Sequence, residues 1–316
     1  MFEPIFMEDG GLTNNRDLKM NAENGLLSKS ASISPKFLYD SLGSHLFTAI
    51  TLLPEYYPTK TEADILNRYK NEIAEAVGRN KMLIDLGAGN CQKAEFLFSS
   101  IQPFSYVAID FSIDYLKEVL IKLQNNYPQI NMYGIGMDFS RDIVLPQALP
   151  NSPRTFFYPG SSIGNFLAEE AGQFLQKIKN QSENGGLLIG VDLMKDEKIL
   201  KAAYDDPLKL TAAFNLNILR VVNGLVGSNF DVSHFRHVVK INHDEKRVEL
   251  YLEVLIDVTV SWHGNSRTFK QGELIHTEHS HKYTIDSIKQ LLSHSGYKSF
   301  NIWTDPEKYF AVIYAQ

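Results

Sequence analysis

The stretch Lys81-Met82-Leu83-Ile84-Asp85-Leu86-Gly87-Ala88-Gly89-Asn90-Cys91-Gln92-Lys93 sets the architecture of this chain. An apolar run ends in an acid, followed by a Gly-x-Gly turn, and over 93–101 apolar side chains recur at helical spacing. This is the pattern of a buried parallel strand feeding a helix through a tight loop. Glycines at 87 and 89 let the backbone approach a ligand closely, and the helix N-terminus offers unpaired N–H groups.

What the turn lacks narrows the ligand class. A dinucleotide fingerprint has a third glycine where this chain has Gln92. A phosphate-binding loop has Gly-Lys-Ser/Thr after a longer spacer, and none follows. An acid-x-Gly-x-Gly turn without those additions fits an S-adenosylmethionine methyltransferase. A second strand, Tyr106-Val107-Ala108-Ile109, ends in Asp110, about where a carboxylate that accepts from ribose hydroxyls is expected. The turn alone occurs in many α/β proteins; together with Asp110 it points to a nucleoside.

The pattern continues downstream. Ile113, Leu116, Leu120 and Leu123 share a helix face, and a strand ends at Met137-Asp138-Phe139. Thr155-Phe156-Phe157-Tyr158 runs into Pro159-Gly160-Ser161-Ser162-Ile163-Gly164-Asn165, and another strand spans 187–192. Strands alternating with helices make a parallel sheet with ligands at the strands' carboxyl ends. Asp85, Asp110, Asp138 and Asn165 all fall at such ends. Past Lys195 helices over 197–226 give way to hairpin signals, with strands from His237 to Trp262 and over 274–283. Helix 285–292 and two closing strands follow, the last antiparallel.

The fold class is therefore α/β: a doubly wound Rossmann-like methyltransferase sheet with a second, mixed α+β domain. The boundaries are 62–196 plus 284–316 for the cofactor domain and 1–61 plus 197–283 for the substrate domain. Residues 1–32 are expected to form an arm over the surface. Ser34-Pro35-Lys36 opens a helix-like segment with Phe37, Leu38, Leu42, Leu46, Phe47 and Ile50 on its apolar face. Two prolines, Pro54 and Pro58, hold Tyr56 and Tyr57 on a stiff loop. Thr61 with Asp64 resembles a capping box for a helix running to about Val77.

Bulk composition excludes several classes. With 44% hydrophobic and 22% charged residues, the 316-residue chain is an ordinary globular protein. A net charge of −6 argues against a general grip on nucleic acid. One cysteine, Cys91, leaves no disulfide framework or cysteine-based zinc site and suits a reducing cytoplasm. No apolar run reaches the roughly 20 residues that span a bilayer, and the first residues do not read as a signal peptide. A cytoplasmic monomer without membrane or nucleic-acid partners is expected.

His276-Thr277-Glu278-His279-Ser280-His281 invites a metal reading, because two imidazoles and a carboxylate can hold zinc. Regular strand alternation puts His276, Glu278 and Ser280 on one face and His279 and His281 on the other. That division argues against a metal, and leaves Glu278 and Ser280 projecting together as an acceptor and a donor/acceptor.

Seven segments carry a family resemblance: Ser34-Pro35-Lys36, Leu53-Pro54-Glu55-Tyr56-Tyr57-Pro58-Thr59, Leu86-Gly87-Ala88-Gly89, Gly160-Ser161-Ser162-Ile163-Gly164-Asn165, Ala203-Tyr204-Asp205-Asp206, Thr211-Ala212-Ala213-Phe214-Asn215 and Trp303-Thr304-Asp305-Pro306. From about residue 34 to the C-terminus the chain resembles the histidine-specific Nα-methyltransferases of ergothioneine biosynthesis. The resemblance implies a methyltransferase domain, a second domain capping the amino-acid site, and trimethylation of histidine to hercynine by three molecules of S-adenosyl-L-methionine. It implies that Gly87, Lys93, Asp110, Asp138 and Phe139 contact the cofactor, with Asp110 on the ribose. Tyr56, Asn165, Tyr204, Glu278 and Ser280 would hold the amino acid, with Tyr39 nearby. Asn165 and Tyr204 would orient its amino and carboxylate groups, Glu278 and Ser280 would face the imidazole, and Tyr39 and Asn165 are assigned to catalysis. Leu250 departs from the family pattern, which has methionine in the side-chain pocket; the swap nearly conserves volume.

Methyl transfer from a sulfonium is an in-line displacement that needs a positioned neutral amine and neither a nucleophilic residue nor a metal. Two alternatives remain open from sequence: methylation of a tryptophan-type amino acid, and a non-catalytic S-adenosylmethionine-binding protein.

Overall fold

A computed structural model of the protein describes residues 3–8, 15–140 and 143–316. The chain forms two compact units. The first comprises Met1–Leu12, Thr61–Leu193 and Tyr283–Gln316; the second comprises Thr13–Lys60 and Met194–Lys282.

The first unit is built on an eight-stranded sheet. Its strands are β1 (Ile5–Glu8), β2 (Met82–Leu86), β3 (Ser105–Asp110), β4 (Asn131–Gly136), β5 (Arg154–Tyr158), β6 (Gly186–Asp192), β12 (Phe300–Thr304) and β13 (Phe310–Ala315). They lie in the order β1-β4-β3-β2-β5-β6-β13-β12. Strands β1 to β6 pair in parallel, while β13 runs antiparallel to both β6 and β12. All five residues of β2 and all seven of β6 are buried, as in a sheet covered on both faces. Leu83 faces a cluster with α4 (Lys70–Val77), α5 (Gln92–Ile101) and α6 (Ile113–Asn126); Ile84 faces one with α7 (Ala168–Gln181) and α10 (Ile285–His294). The architecture is the doubly wound α/β fold expected. Each such Leu or Ile contributes about 1.5–3 kcal/mol by leaving water.

The second unit packs helices on an antiparallel sheet. Strands β7 (Phe235–Asn242), β8 (Arg247–Val254) and β11 (Leu274–His281) lie in the order β11-β8-β7, and β9 (Val258–Trp262) pairs with β10 (Asn265–Phe269) as a hairpin. Helix α9 (Leu210–Val226) sets Phe214, Ile218 and Val222 against Leu252, Val254 and Ile275. Helix α1 (Asn15–Leu27) adds Ala22 and Leu26 to that core. Helices α2 (Ser41–Ile50) and α8 (Glu197–Tyr204) complete this unit, and α3 (Tyr57–Arg68) carries the chain from the second unit into the first.

Several expectations change. Residues 1–32 are no surface arm where they are described: β1 joins the sheet beside β4, and α1 buries two side chains. The segment after Ser34 is a 3-10 turn, Pro35–Leu38, followed by α2. The Asp40 carboxylate caps α2 by accepting from the Gly43 N–H at 2.7 Å. Helix α3 begins at Tyr57, so Thr61 lies inside it and is no cap. Pro58 explains the earlier start, since a proline in the first turn sacrifices no intrahelical bond. Tyr69 separates α3 from α4, where one helix was expected.

The largest correction concerns β11. Its pairing with β8 shifts register between His276 and Glu278, a β-bulge at Thr277. The extra residue resets the alternation. His276 pairs with Tyr251, His279 with Glu249 and His281 with Arg247, so the three histidines share one face. Their rings follow one another at centroid distances of 5.5 and 5.3 Å. Glu278 and Ser280 pair with Leu250 and Val248 and share the opposite face. His276 was expected beside them and is not.

Candidate active site

In the first unit the strand ends bring the expected cofactor residues together. Gly87 and Gly89 hold φ of 71° and 51°, the left-handed region that glycine enters without strain. The N–H groups of Gly87 and Ala88 donate to the Ile109 carbonyl at 2.9 and 3.1 Å, tying the turn to the end of β3. There the Asp110 carboxylate accepts from the Gly89 N–H at 3.0 Å and from the Ser112 N–H at 3.1 Å. Both oxygens are thereby oriented, and each retains a lone pair for a hydroxyl. Nothing lies within 4 Å of where a Gly89 side chain would stand, whereas one on Gly87 would meet the Phe139 ring at 3.5 Å. A nucleoside fits such a bare glycine turn with a carboxylate at its rim. Asp138 and Phe139 follow β4, whose continuation at Met137 donates its N–H to the Asp110 carbonyl at 3.0 Å.

Two carboxylates here are buried. Asp85, 2% exposed, accepts from the Tyr106 hydroxyl at 2.7 Å through Oδ2, and its Oδ1 has no partner. Burial pushes its carboxyl up to about 7, against the opposing pull of the Tyr106 hydrogen bond and Lys93. Glu62, 1% exposed, is a site residue that the sequence reading did not single out. Its Oε2 accepts from Lys93 Nζ at 2.6 Å and its Oε1 from the Gly160 N–H at 2.8 Å. A Cβ on Gly190 would lie 2.0 Å from Oε1, so that glycine makes room for the acid. A glycine inside an otherwise apolar strand was the available signal. Glu62 thus fixes Lys93 and the start of the loop ending at Asn165, the last residue of a 3-10 turn, Ser162–Asn165. Burial pushes the Cys91 thiol up to about 12, which leaves it no nucleophile.

In the second unit the structure gathers Tyr39, Tyr56, Tyr204, Leu250, Glu278 and Ser280, while Asn165 belongs to the first unit. Aromatic contacts link Tyr39 to Phe47 at 5.6 Å, Phe47 to Tyr56 at 6.0 Å and Tyr56 to Tyr204 at 6.3 Å between ring centroids. Tyr204, Val248 and Leu250 form one apolar cluster with Tyr56 packed on it. The Tyr204 hydroxyl donates to Ser280 Oγ at 3.1 Å. The His237 ring fixes the backbone of Tyr204: its Nε2 faces the Tyr204 carbonyl at 2.9 Å and its Nδ1 faces Asn215 Nδ2 at 2.9 Å. A carbonyl only accepts, so Nε2 carries the proton and Nδ1 accepts from the amide. Burial holds the His237 pKa below its ordinary value, favouring this neutral form.

Lys282 was also missed. It is 2% exposed, and its Nζ donates to the Tyr204 hydroxyl at 2.7 Å and to Ser280 Oγ at 2.8 Å. A lysine two residues past Ser280, on the same strand parity, was the signal in the sequence. Among the described residues no group of three or more His, Cys, Asp or Glu side chains is arranged to hold a metal ion. No helix among them is long and apolar enough to cross a membrane.

Comparison with known proteins adds an independent line. The chain is 34% identical to the histidine N-alpha-methyltransferase of Mycolicibacterium smegmatis, over 94% of each chain. It is 31% identical to ergothioneine biosynthesis protein 1 of Schizosaccharomyces pombe, over 85% of this chain and 37% of that one. It is 24% identical to the 4-dimethylallyltryptophan N-methyltransferase of Claviceps purpurea, over 89% of each chain. Residues 18–316 match the family described as histidine-specific, S-adenosylmethionine-dependent methyltransferases. The protein belongs to that family and is an S-adenosylmethionine-dependent methyltransferase.

Proposed function

We propose that the protein methylates the α-amino group of L-histidine, in three successive transfers that end at trimethylhistidine (hercynine), as a step of ergothioneine biosynthesis. The observation that carries the choice of substrate is on β11. Glu278 and Ser280, 8% and 6% exposed, lie two residues apart on one sheet face beside Tyr204. A neutral imidazole donates from one nitrogen and accepts at the other. A carboxylate and a hydroxyl at that spacing match it, and the two relatives named above for histidine and ergothioneine support the same reading.

The cofactor supplies an electrophilic methyl group on a sulfonium. Gly87 and the turn around it admit the nucleoside, Asp110 takes the ribose hydroxyls, and Lys93, Asp138 and Phe139 complete the cofactor contacts. Tyr56, Tyr204 and Asn165 orient the amino acid, and Tyr39 stands with Asn165 as the group assigned to the reacting amine. An α-amine titrates near pH 8, so part of it is neutral without a strong base. The second unit, Thr13–Lys60 and Met194–Lys282, is the amino-acid domain in this scheme. The enzyme acts as a cytoplasmic monomer.

The decisive experiment is mass spectrometry of products from a panel of amino acids incubated with S-adenosylmethionine. Mono-, di- and trimethylhistidine should accumulate in sequence. Methylation of tryptophan-type substrates in preference to histidine would replace this reading with a second one, for which Leu250 and the dimethylallyltryptophan-methylating relative speak.

A further inference from the structure

Ser280 is placed in an unusual hydrogen-bonding position. Its hydroxyl oxygen has two neighbours at bonding distance, Lys282 Nζ at 2.8 Å and the Tyr204 hydroxyl at 3.1 Å. An ammonium only donates, so Ser280 must accept from Lys282. Tyr204 also accepts from Lys282, at 2.7 Å, and its own proton then goes to Ser280. A phenol is a better donor and a poorer acceptor than an alkyl hydroxyl, which favours that direction. The ammonium additionally stands 4.8 Å from the Tyr204 ring centroid. Both lone pairs of Ser280 are thus consumed, and its proton is the single hydrogen-bonding function it has left.

We propose that Lys282 is a specificity-determining positioning residue: it polarises the Tyr204–Ser280 pair so that Ser280 is a pure donor toward the substrate side chain. The inference rests on the functional reading above and deepens it. A pure donor welcomes a ring nitrogen with a lone pair, as in neutral imidazole. It repels a ring that offers N–H at the same place, as indole does, because two hydrogens would then face each other. Glu278, on the same face, supplies the complementary acceptor. The ring is read by two groups of opposite and fixed polarity. Without Lys282 the Ser280 and Tyr204 hydroxyls could exchange roles, and Ser280 could accept as readily as it donates.

The experiment is a double-mutant cycle on the full-length protein, with Lys282→Met, Ser280→Ala and the double variant. Steady-state kinetics are read on histidine and tryptophan, and cofactor affinity by calorimetry. Lys282→Met should lower kcat/KM for histidine roughly tenfold, the scale of one hydrogen bond. It should lower that for tryptophan less, or raise it, and leave cofactor affinity unchanged. On the Ser280→Ala background the same change should cost under about twofold, since Lys282 acts through Ser280. Equal losses on both substrates, or full additivity with Ser280→Ala, would overturn the proposal and leave Lys282 a structural residue. If Lys282→Met does not fold, Lys282→Gln carries the same cycle with a smaller expected loss and the same overturning outcomes. Absence of any histidine turnover by the unaltered protein overturns the functional reading instead, a result distinct from failure of the cycle.

Discussion

The two units bury carboxylates of similar exposure with opposite results. Asp85 in the first unit and Glu249 in the second are 2% and 6% exposed. Asp85 receives one hydrogen bond, from Tyr106, and is pushed up to about 7. For Glu249 burial also pushes upward, but hydrogen bonds from Tyr251, Arg247 and Asn242, at 2.7, 2.7 and 3.0 Å, outweigh it and hold the acid at about 2. Glu249 has three donors, one of them the cationic Arg247, whereas Asp85 is more deeply buried, has one donor and feels repulsion from Asp110 and Glu62. The first unit keeps its acid beneath a glycine turn in an apolar sheet. The second keeps its acid on the polar face of β8, next to the histidine row.

This contrast can be broken at its foundation by shrinking the sheet core. Ile84→Ala should destabilise the protein by about 2–5 kcal/mol, the cost of a buried cavity. Each unit holds one of the chain's two tryptophans, Trp303 in the first and Trp262 in the second. Urea unfolding followed by Trp303 fluorescence in a Trp262→Phe background would measure the loss. A shift below 1 kcal/mol would mean that Ile84 is not at the centre of the first unit's core.

The pH response sharpens the contrast next. The folded-state pKa of Asp85 is raised, so its contribution is fully present below about pH 4 and is lost as pH rises through about 7, a few kcal/mol in all. Asp85→Asn should flatten the stability profile of the first unit in that window. His276 and His281 carry the opposite sign: burial, with Arg247 adding repulsion at His281, holds both below 6.5. Their contribution is full above pH 6.5 and is lost as pH falls. Double replacement by Gln should therefore stabilise the second unit selectively at acid pH. Tryptophan-resolved unfolding between pH 4 and 8 reads both slopes; parallel slopes in the two units would contradict the assignment.

Function should divide along the same line. Asp110→Ala is expected to weaken cofactor binding by about 1.5–3 kcal/mol, the worth of hydrogen bonds to a charged group, with histidine affinity little changed. Glu278→Ala should do the reverse, lowering kcat/KM for histidine by a similar energy while calorimetry finds cofactor affinity intact. Should either variant lose both ligands together, the division of labour fails.

The smallest effects concern helix caps. Thr284 accepts from the Ser287 N–H at 3.1 Å at the start of α10, and its replacement by Ala should cost about 1 kcal/mol. Asp40 accepts both the Gly43 N–H and, at 2.7 Å, Asn217 Nδ2. Asp40→Ala should cost more than Thr284→Ala, because a buried amide loses its partner as well. Chemical denaturation of the two variants in parallel tests the order.

The local features could be read from the chain because they depend on spacing alone. Five consecutive buried residues ahead of Gly87, glycines two apart, and an acid 21 positions beyond Gly89 specified a parallel strand, a bare turn and a carboxylate at its rim. Covalent geometry carries such patterns over short distances, so the turn and the carboxylate of Asp110 were legible. The roles expected of Tyr56, Tyr204 and Glu278 came instead from the resemblance to a family, not from spacing. Features set by long-range packing were not legible. Glu62 lies 98 residues from Gly160, and its burial depends on the absence of a side chain at Gly190. The Thr277 bulge depends on how β11 meets β8, and a single extra residue moved His276 to the face of His279 and His281. Lys282 became part of the site only when α8 brought the Tyr204 hydroxyl to within 2.7 Å. Periodicity records what one element does by itself; register and burial are properties of two elements in contact, and only folding brings them together.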